Sequence, residues 1–287
     1  MDRIPQLGST AVVTGATGGI GRWIALGLAR AGYHVILLGR SRMRGEQAQA
    51  WVASRVPGAN TELVLADLSS LSETRAAANF ILTRHQNLAI LINNAGVFDT
   101  NPVTTPEGCN RVLATNLLSP FLLINTLLPA LQAGNPSRII NLGSSTSDRA
   151  KIDPDDLVLD GRWTMRRAYS QSKLGLMMIT FALARRLAGT NLVANVVHPG
   201  LVASGLVRNG GIIGFVWRCM GQIALTEAQG ADTPLYAALA PEFGKISGAY
   251  IKDRRVAVPN PRALDQVLLE RVWVATEQLV SRYGGAV

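Results

Sequence analysis

The sequence predicts an α/β fold, a doubly wound parallel sheet of seven strands with helices on both faces, and three observations carry that expectation. Short runs rich in Val, Ile and Leu recur along the chain, too continuously apolar for strands with one wet face. Longer segments with apolar residues at helical spacing lie between them. A glycine-rich turn follows the first apolar run and opens directly into a helical segment.

Thr10 to Thr14 is the first strand, and Ile20 to Ala31 the helix after it. His34 to Leu38 and Glu62 to Ala66 are the next two strands. Ser70 and Glu73 have the spacing of a capping box and precede a helix that includes Arg75 to Arg84. Leu88 to Ile92 and Arg138 to Leu142 follow as strands, with the almost wholly apolar helical segment Arg111 to Leu131 between them. The apolar helix Leu174 to Leu187 leads to a sixth strand, Leu192 to Val197, and Ala249 to Ile251 completes seven. That helix suits burial against the sheet or pairing with a second copy, which leaves a homo-oligomer open. No internal repeat, low-complexity tract or linker divides the chain, so residues 1–287 read as one domain.

A hydrophobic share of 48% with 16% charged residues fits a well-filled interior and excludes a disordered chain. Cys109 and Cys219 match neither disulfide nor metal spacing, which points to a reducing, cytoplasmic setting and to no metal. The first ten residues hold no signal-peptide core, and no run reaches the ~20 apolar residues of a membrane span. The net charge of +9 attracts polyanions in general. Its positive residues are scattered, however, and no groove-reading module accompanies them, so no nucleic-acid partner is expected.

In the turn after the first strand, Gly15 permits the tight bend, Gly19 lets phosphates approach backbone N–H groups, and Gly21 allows close helix packing. The helix N-terminus behind them favours negative charge. Tyr169 and Lys173 are spaced to project from one helix face, one turn apart. A free tyrosine titrates at about 10, too high for proton exchange at neutral pH. A lysine ammonium ~4 Å away, at an effective dielectric of ~20, would lower that by about three units before desolvation opposes it.

The turn Thr14-Gly15-Ala16-Thr17-Gly18-Gly19-Ile20-Gly21 resembles the nucleotide loop of the short-chain dehydrogenase/reductase family, a Rossmann-type fold. Further landmarks of that family stand in order: Asp67-Leu68, Asn93-Asn94-Ala95-Gly96, Asn116, Ser144, Tyr169-x-x-x-Lys173 and His198-Pro199-Gly200. The resemblance covers nearly the whole chain. It implies a nicotinamide cofactor held by Gly15, Thr17, Gly18, Gly19, Ile20, Gly21, Asp67, Leu68, Asn94, Ala95, Gly96, Tyr169, Lys173, Pro199, Gly200, Val202 and Ser204. It also implies Tyr169 as proton donor and acceptor, Ser144 as the hydroxyl on the substrate oxygen, with Ser145 its rival, and Asn116 as anchor of a water-linked relay from Lys173.

Tyr169 follows Ser144 at about twice the family's usual interval, marking residues 145–168 as an insertion beside the active site. With the run Thr226 to Ala231, this looks like the retinol-dehydrogenase-like branch, without the N-terminal anchor that its membrane-bound members carry. Residues 201–225, with Gly205, Gly210, Gly211 and Gly214 as hinges, read as a lid over a largely apolar small-molecule carbonyl or alcohol. At the end of the second strand, Gly39 stands where an NAD enzyme usually places an acid, and Arg40 offers a bidentate donor to a 2′-phosphate. NADP(H) is therefore the expected cofactor. Arg42 fits a second, more solvent-screened phosphate contact, or, together with Arg44, a solvated helix start. A non-catalytic NADP(H) sensor and an epimerase or dehydratase on the same fold are the rival functions.

Overall fold

The computed structural model describes residues 9–134, 136–202 and 224–284. One sheet holds eight strands in the order β3-β2-β1-β4-β5-β6-β7-β8. These are β1 (Thr10–Thr14), β2 (His34–Gly39), β3 (Thr61–Leu65), β4 (Leu88–Asn93), β5 (Ser137–Leu142), β6 (Leu192–His198), β7 (Tyr250–Lys252) and β8 (Arg255–Ala257). The first seven pair in parallel, as the sequence predicts. The eighth corrects the expected number and runs antiparallel to β7.

The β8 strand hides from sequence reasoning because its turn lacks the usual residues. Asp253 and Arg254 link β7 to β8 with φ of 49° and 61°, the positive angles of a primed hairpin turn. Such turns normally show Asn-Gly or Asp-Gly. Here Arg254 is held in place by Asp232, with Nε to Oδ2 at 2.7 Å, and by the Tyr236 ring beneath its guanidinium.

Two helical layers cover the sheet. Helices α1 (Gly19–Arg30), α2 (Arg42–Ala53) and α6 (Asp232–Leu239) lie on one face; α3 (Leu71–Arg84), α4 (Ser119–Ala133), α5 (Met165–Arg186) and α7 (Gln266–Gly284) lie on the other. Alternate strand residues feed the two cores, as the period of two requires. Ala11 and Val13 pack with Ile24 and Leu28 of α1, whereas Val12 and Leu38 belong to the core with Leu123 and Met177. Residues 171–184 of α5 are all buried within this chain, so the first of the two packings left open by the sequence is realised. The stretch Arg111–Ala133 is long and apolar enough to cross a membrane, but it lies mostly buried as a core element.

The Ser70 cap forms by half. Its hydroxyl accepts from the Glu73 N–H at 3.3 Å, while the Glu73 carboxylate accepts from the Asp67 N–H at 2.8 Å instead of returning to Ser70. Glu73 thus fixes the loop at the carboxyl end of β3. Strand order reverses between β1 and β4, and in open α/β sheets a crevice forms outside the carboxyl ends at that point.

Candidate active site

At the switch point the backbone leaves β1 through Gly15, whose φ is 64°, and enters α1 through Gly19, whose φ is 56°. Gly18 caps α1 without a side chain, and no acid stands in the first turn. The first-turn N–H groups therefore have no side-chain cap and are open to an anion; the nearest carboxylate, Glu227, stands 3.9 Å from where a Cβ on Gly19 would be and is paired with Arg22 at 4.0 Å. A Cβ on Gly21 would collide with the Gly15 carbonyl oxygen and Asn94 Nδ2, so α1 sits as close to the turn as backbone permits. Asn94 Nδ2 donates to Thr14 O at 2.8 Å, and the N–H groups of Asn94 and Ala95 both donate to Thr14 Oγ1. These bonds clasp the end of β4 to the end of β1. Gly96 follows, its missing side chain leaving room for Asn116 Oδ1 and Lys173 Nζ at 3.4 and 3.5 Å from where a Cβ would stand.

The structure brings the four expected catalytic residues together around this strand end. Asn116 is fully buried in a π-turn, Ala114–Leu118, a local widening of the helix that often marks a functional position. Its Oδ1 accepts from the Val97 N–H at 2.8 Å, and its Nδ2 donates to Val97 O at 3.0 Å and Ser172 Oγ at 3.1 Å. The side chain thus ties the loop after β4 to α5 rather than bonding its own helix backbone. Ser144 is half-buried and hydrogen-bonded to the Tyr169 hydroxyl, whereas Ser145 is exposed and opens a 3₁₀ turn. Lys173 Nζ donates to Leu142 O at 2.8 Å and stands 5.9 Å from the Tyr169 ring centroid.

The electrostatics depart from the sequence expectation. Burial pushes the Tyr169 hydroxyl up to about 12, opposed by the Ser144 hydrogen bond, and burial brings Lys173 down to about 8. Both groups share one dry pocket, where desolvation of each charge outweighs attraction over the ring-to-ammonium separation. Tyr169 is accordingly a neutral phenol in this state.

At the adenosine end Gly39 packs on Thr17, since a Cβ there would meet Thr17 Cγ2 at 2.6 Å. Arg40 pairs with Asp67 at 3.5 Å in an exposed contact. Burial works against ionisation of Asp67, but bonds from the Ser69 N–H and hydroxyl, with Arg40 beside it, hold its carboxyl below the usual range. Arg42 turns outward to Glu46 at 3.8 Å. Arg44, by contrast, reaches back over the glycine turn, its Nη2 2.7 Å from where a Cβ on Gly18 would stand. The contact expected of Arg42 thus falls to Arg44 in position, because which arginine faces the turn depends on how Ser41 caps α2 and aims its first turn.

Comparison with known proteins matches residues 9–211 to the sequence signature described as short chain dehydrogenase. The chain belongs to that family. Retinol dehydrogenase 12 of Bos taurus is 36% identical over 277 residues, covering 96% of this chain and 88% of that protein. Polyprenol dehydrogenase of Mus musculus is 35% identical over 289 residues, covering 98% of this chain and 86% of that protein. Among solved structures, an uncharacterised protein from Mycobacterium paratuberculosis superposes with a TM-score of 0.78 at 29% identity, over 97% of this chain and 96% of that one. A blue fluorescent protein from a metagenomic library, solved with NADPH, gives 0.68 at 25% identity, over 87% and 97%. The chain is a retinol-dehydrogenase-like member.

In this short-chain dehydrogenase the segment of residues 145–168, expected as an insertion, is anchored from several sides. Gln171 Nε2 donates to the carbonyls of Asp156 and Leu157, both at 3.2 Å, and Arg162 pairs with Asp156 at 2.6 Å. Leu159 and Trp163 from the insertion join Val97, Phe98, Val112 and Ala168 in an apolar cluster around Tyr169. Phe98 meets the Tyr169 ring edge to face at 5.0 Å. Sequence reasoning named none of these wall residues, because their apolarity is indistinguishable from core until the insertion is folded. Val202 pairs with Leu225, which brings together the two ends of the expected lid. Ser204 and residues 203–223 lie outside the described residues. The run after Thr226 is a helix start, with Thr226 and Gln229 forming a complete capping box.

Proposed function

We propose that this short-chain dehydrogenase is, as a single cytoplasmic domain, an NADP(H)-dependent oxidoreductase that interconverts a carbonyl and an alcohol on a largely apolar small molecule. The observation that carries this reading is the buried Tyr169 hydroxyl bonded to Ser144, with Lys173 one helical turn away and the glycine turn clasped beside them through Asn94. The residues fit a dinucleotide: the uncapped first turn of α1 suits its pyrophosphate, and Gly96 leaves open the approach to Lys173 Nζ. When bound, the nicotinamide supplies or accepts the hydride.

Ser144 holds the substrate oxygen by hydrogen bond, and Tyr169, a neutral phenol, gives that oxygen its proton during reduction. Lys173 stands behind the tyrosine to favour the phenolate left after transfer, and Asn116 fixes the loop against which Lys173 lies. The wall of Val97, Phe98, Leu159 and Trp163 supports an apolar substrate. Gly15, Thr17, Gly18, Gly19, Ile20, Gly21, Leu68, Ala95, Pro199, Gly200 and Val202 would line the cofactor. At the adenosine end the Arg40–Asp67 pair is exposed and weak, so Arg40 is free to turn to a 2′-phosphate.

NADPH absorbance followed against a panel of aldehydes, ketones and quinones tests the reaction, with NADH measured alongside. Turnover of an apolar carbonyl, faster with NADPH, is the expected result. Tight NADPH binding without turnover in either direction would make the chain a sensor instead. Arg40→Ala should weaken NADPH by roughly tenfold to a hundredfold, the range for one charge-assisted contact, and leave NADH almost unchanged. A wild-type preference for NADH would refute the cofactor assignment.

A further inference from the structure

We propose that a shallow concavity between the insertion and the first turn of α5 binds a phosphoryl anion. Arg149, Lys151, Arg166 and Arg167 line it, together with the hydroxyl-bearing Thr164 and Ser170. Four cations around one depression repel one another, and a folded chain ordinarily answers such crowding with carboxylates. The insertion carries five acids that could do so and turns four of them elsewhere. Asp153 and Asp156 hold Arg162, Asp155 holds Arg271, and Asp148 accepts from the Tyr250 hydroxyl. Among the described residues no carboxylate pairs with any of the four cations, and residues 203–223 contain no Asp or Glu.

The ordinary reasons for these side chains fail in turn. Arg166 and Arg167 stand in the first turn of α5, which has no acid and whose backbone already presents positive charge, so they weaken the helix they begin. Packing does not account for them either, because Arg149, Lys151 and Arg166 are exposed. A local conflict kept without internal compensation marks a functional position. Planar guanidinium forks beside an ammonium and two hydroxyls match the several oxygens of a phosphoryl group better than a lone carboxylate. Arg149 comes soon after Ser144 in the chain and Arg166 stands nearly one helical turn before Tyr169. The bound anion therefore sits on the rim of the candidate active site, and the inference stands without the catalytic assignments.

Calorimetric titration of the full chain with inorganic pyrophosphate tests the site, alongside sedimentation with phosphatidylcholine vesicles with and without phosphatidic acid. Saturable pyrophosphate binding is expected, weakened about a hundredfold by Arg149→Glu with Arg166→Glu, since each lost charge-assisted contact is worth roughly tenfold or more. Run with saturating NADPH, which fills the cofactor cradle, the titration should keep this binding, as should Arg40→Ala with Arg44→Ala, which separates this site from the cradle. Binding of the acidic vesicles alone, lost in the same charge reversal, would identify the phosphoryl source as a lipid headgroup and equally support the site. Absence of binding to both probes, survival of binding in the reversal, or its loss in the Arg40 and Arg44 pair would overturn the proposal. Thermal melting checks that the variants fold; Arg149→Gln with Arg166→Gln replaces the reversal if it does not, with at least a tenfold weakening expected.

Discussion

Tyr169 and Lys173 are each costly to keep where they are, and both costs are measurable. Tyr169→Phe removes one hydroxyl from a packed ring and leaves the Phe98 contact and the glycine turn untouched. Its kcat should fall by ~100-fold or more, the usual worth of a positioned acid, while cofactor affinity measured by fluorescence titration stays close to wild type. Retention of more than about a tenth of the activity would remove Tyr169 from the proton transfer. Lys173 is a cation by nature, and burial lowers it from 10.5 to about 8, so its folded state resists the charge that the unfolded state accepts. Between those two values the unfolded chain binds more protons, and stability rises with pH. Denaturant titrations of wild type and Lys173→Met should therefore diverge in favour of wild type by about 3 kcal/mol as pH goes from 7 to 10.5, at 1.36 kcal/mol per unit. A pH-independent difference would mean that Lys173 is not held near 8. The sign matters for function, because a lysine near 8 is readily discharged and recharged during a proton relay.

Elements, more than residues, decide what could be read in advance. Gly21 faces the Gly15 carbonyl and Asn94, and the first turn of α1 can lie against β1 only if position 21 has no side chain. Gly21→Ala should lift the helix start, weaken cofactor binding by more than tenfold and lower stability by about 1–3 kcal/mol, the range for overpacking. Unchanged binding would show that the helix start does not set the cradle. This turn was legible because the constraint is local: a strand, a bend and a helix start within a dozen residues leave few alternatives to glycine. The same holds for Tyr169 and Lys173, whose shared face follows from helical spacing alone. The hairpin to β8 was not legible, since Asp253 and Arg254 adopt positive φ under the hold of Asp232 and Tyr236, which are remote in sequence. Arg44 over Gly18 and the apolar wall of Leu159 and Trp163 escaped for the same reason, as did the balance between desolvation and attraction at Tyr169. Each depends on which distant groups arrive and how dry they make the pocket.

Across the whole molecule, the C-terminal arm and the segment of residues 145–168 are one mechanical unit. Asn260 is buried beyond β8, and its Nδ2 donates to Ser147 O at 2.8 Å and Ala150 O at 3.0 Å, more than a hundred residues earlier in the chain. Arg271 of α7 adds a bond to Asp155 at 2.6 Å, and the Tyr250 hydroxyl of β7 bonds Asp148 at 3.1 Å. The wall beside Tyr169 is thus held by residues with no place in the chemistry. Asn260→Ala strips two carbonyls of their partner in a buried setting, at about 1–1.5 kcal/mol each, or roughly 2–3 kcal/mol together. For a chain of this size that corresponds to a fall in Tm of about 4–12 °C. The catalytic consequence should be lopsided. Tyr169 and Lys173 rest on α5, which the substitution does not touch, and Ser144 keeps the bonds that its carbonyl accepts from the Ser147 N–H and hydroxyl, whereas the segment carrying Leu159 and Trp163 loses its outer tie. The KM for an apolar substrate should rise several-fold while kcat holds within about twofold, as expected when binding shared by ground and transition states is lost. Equal loss in kcat and kcat/KM, with KM unmoved, would place the effect of the C-terminal arm on the proton relay instead of on the substrate wall.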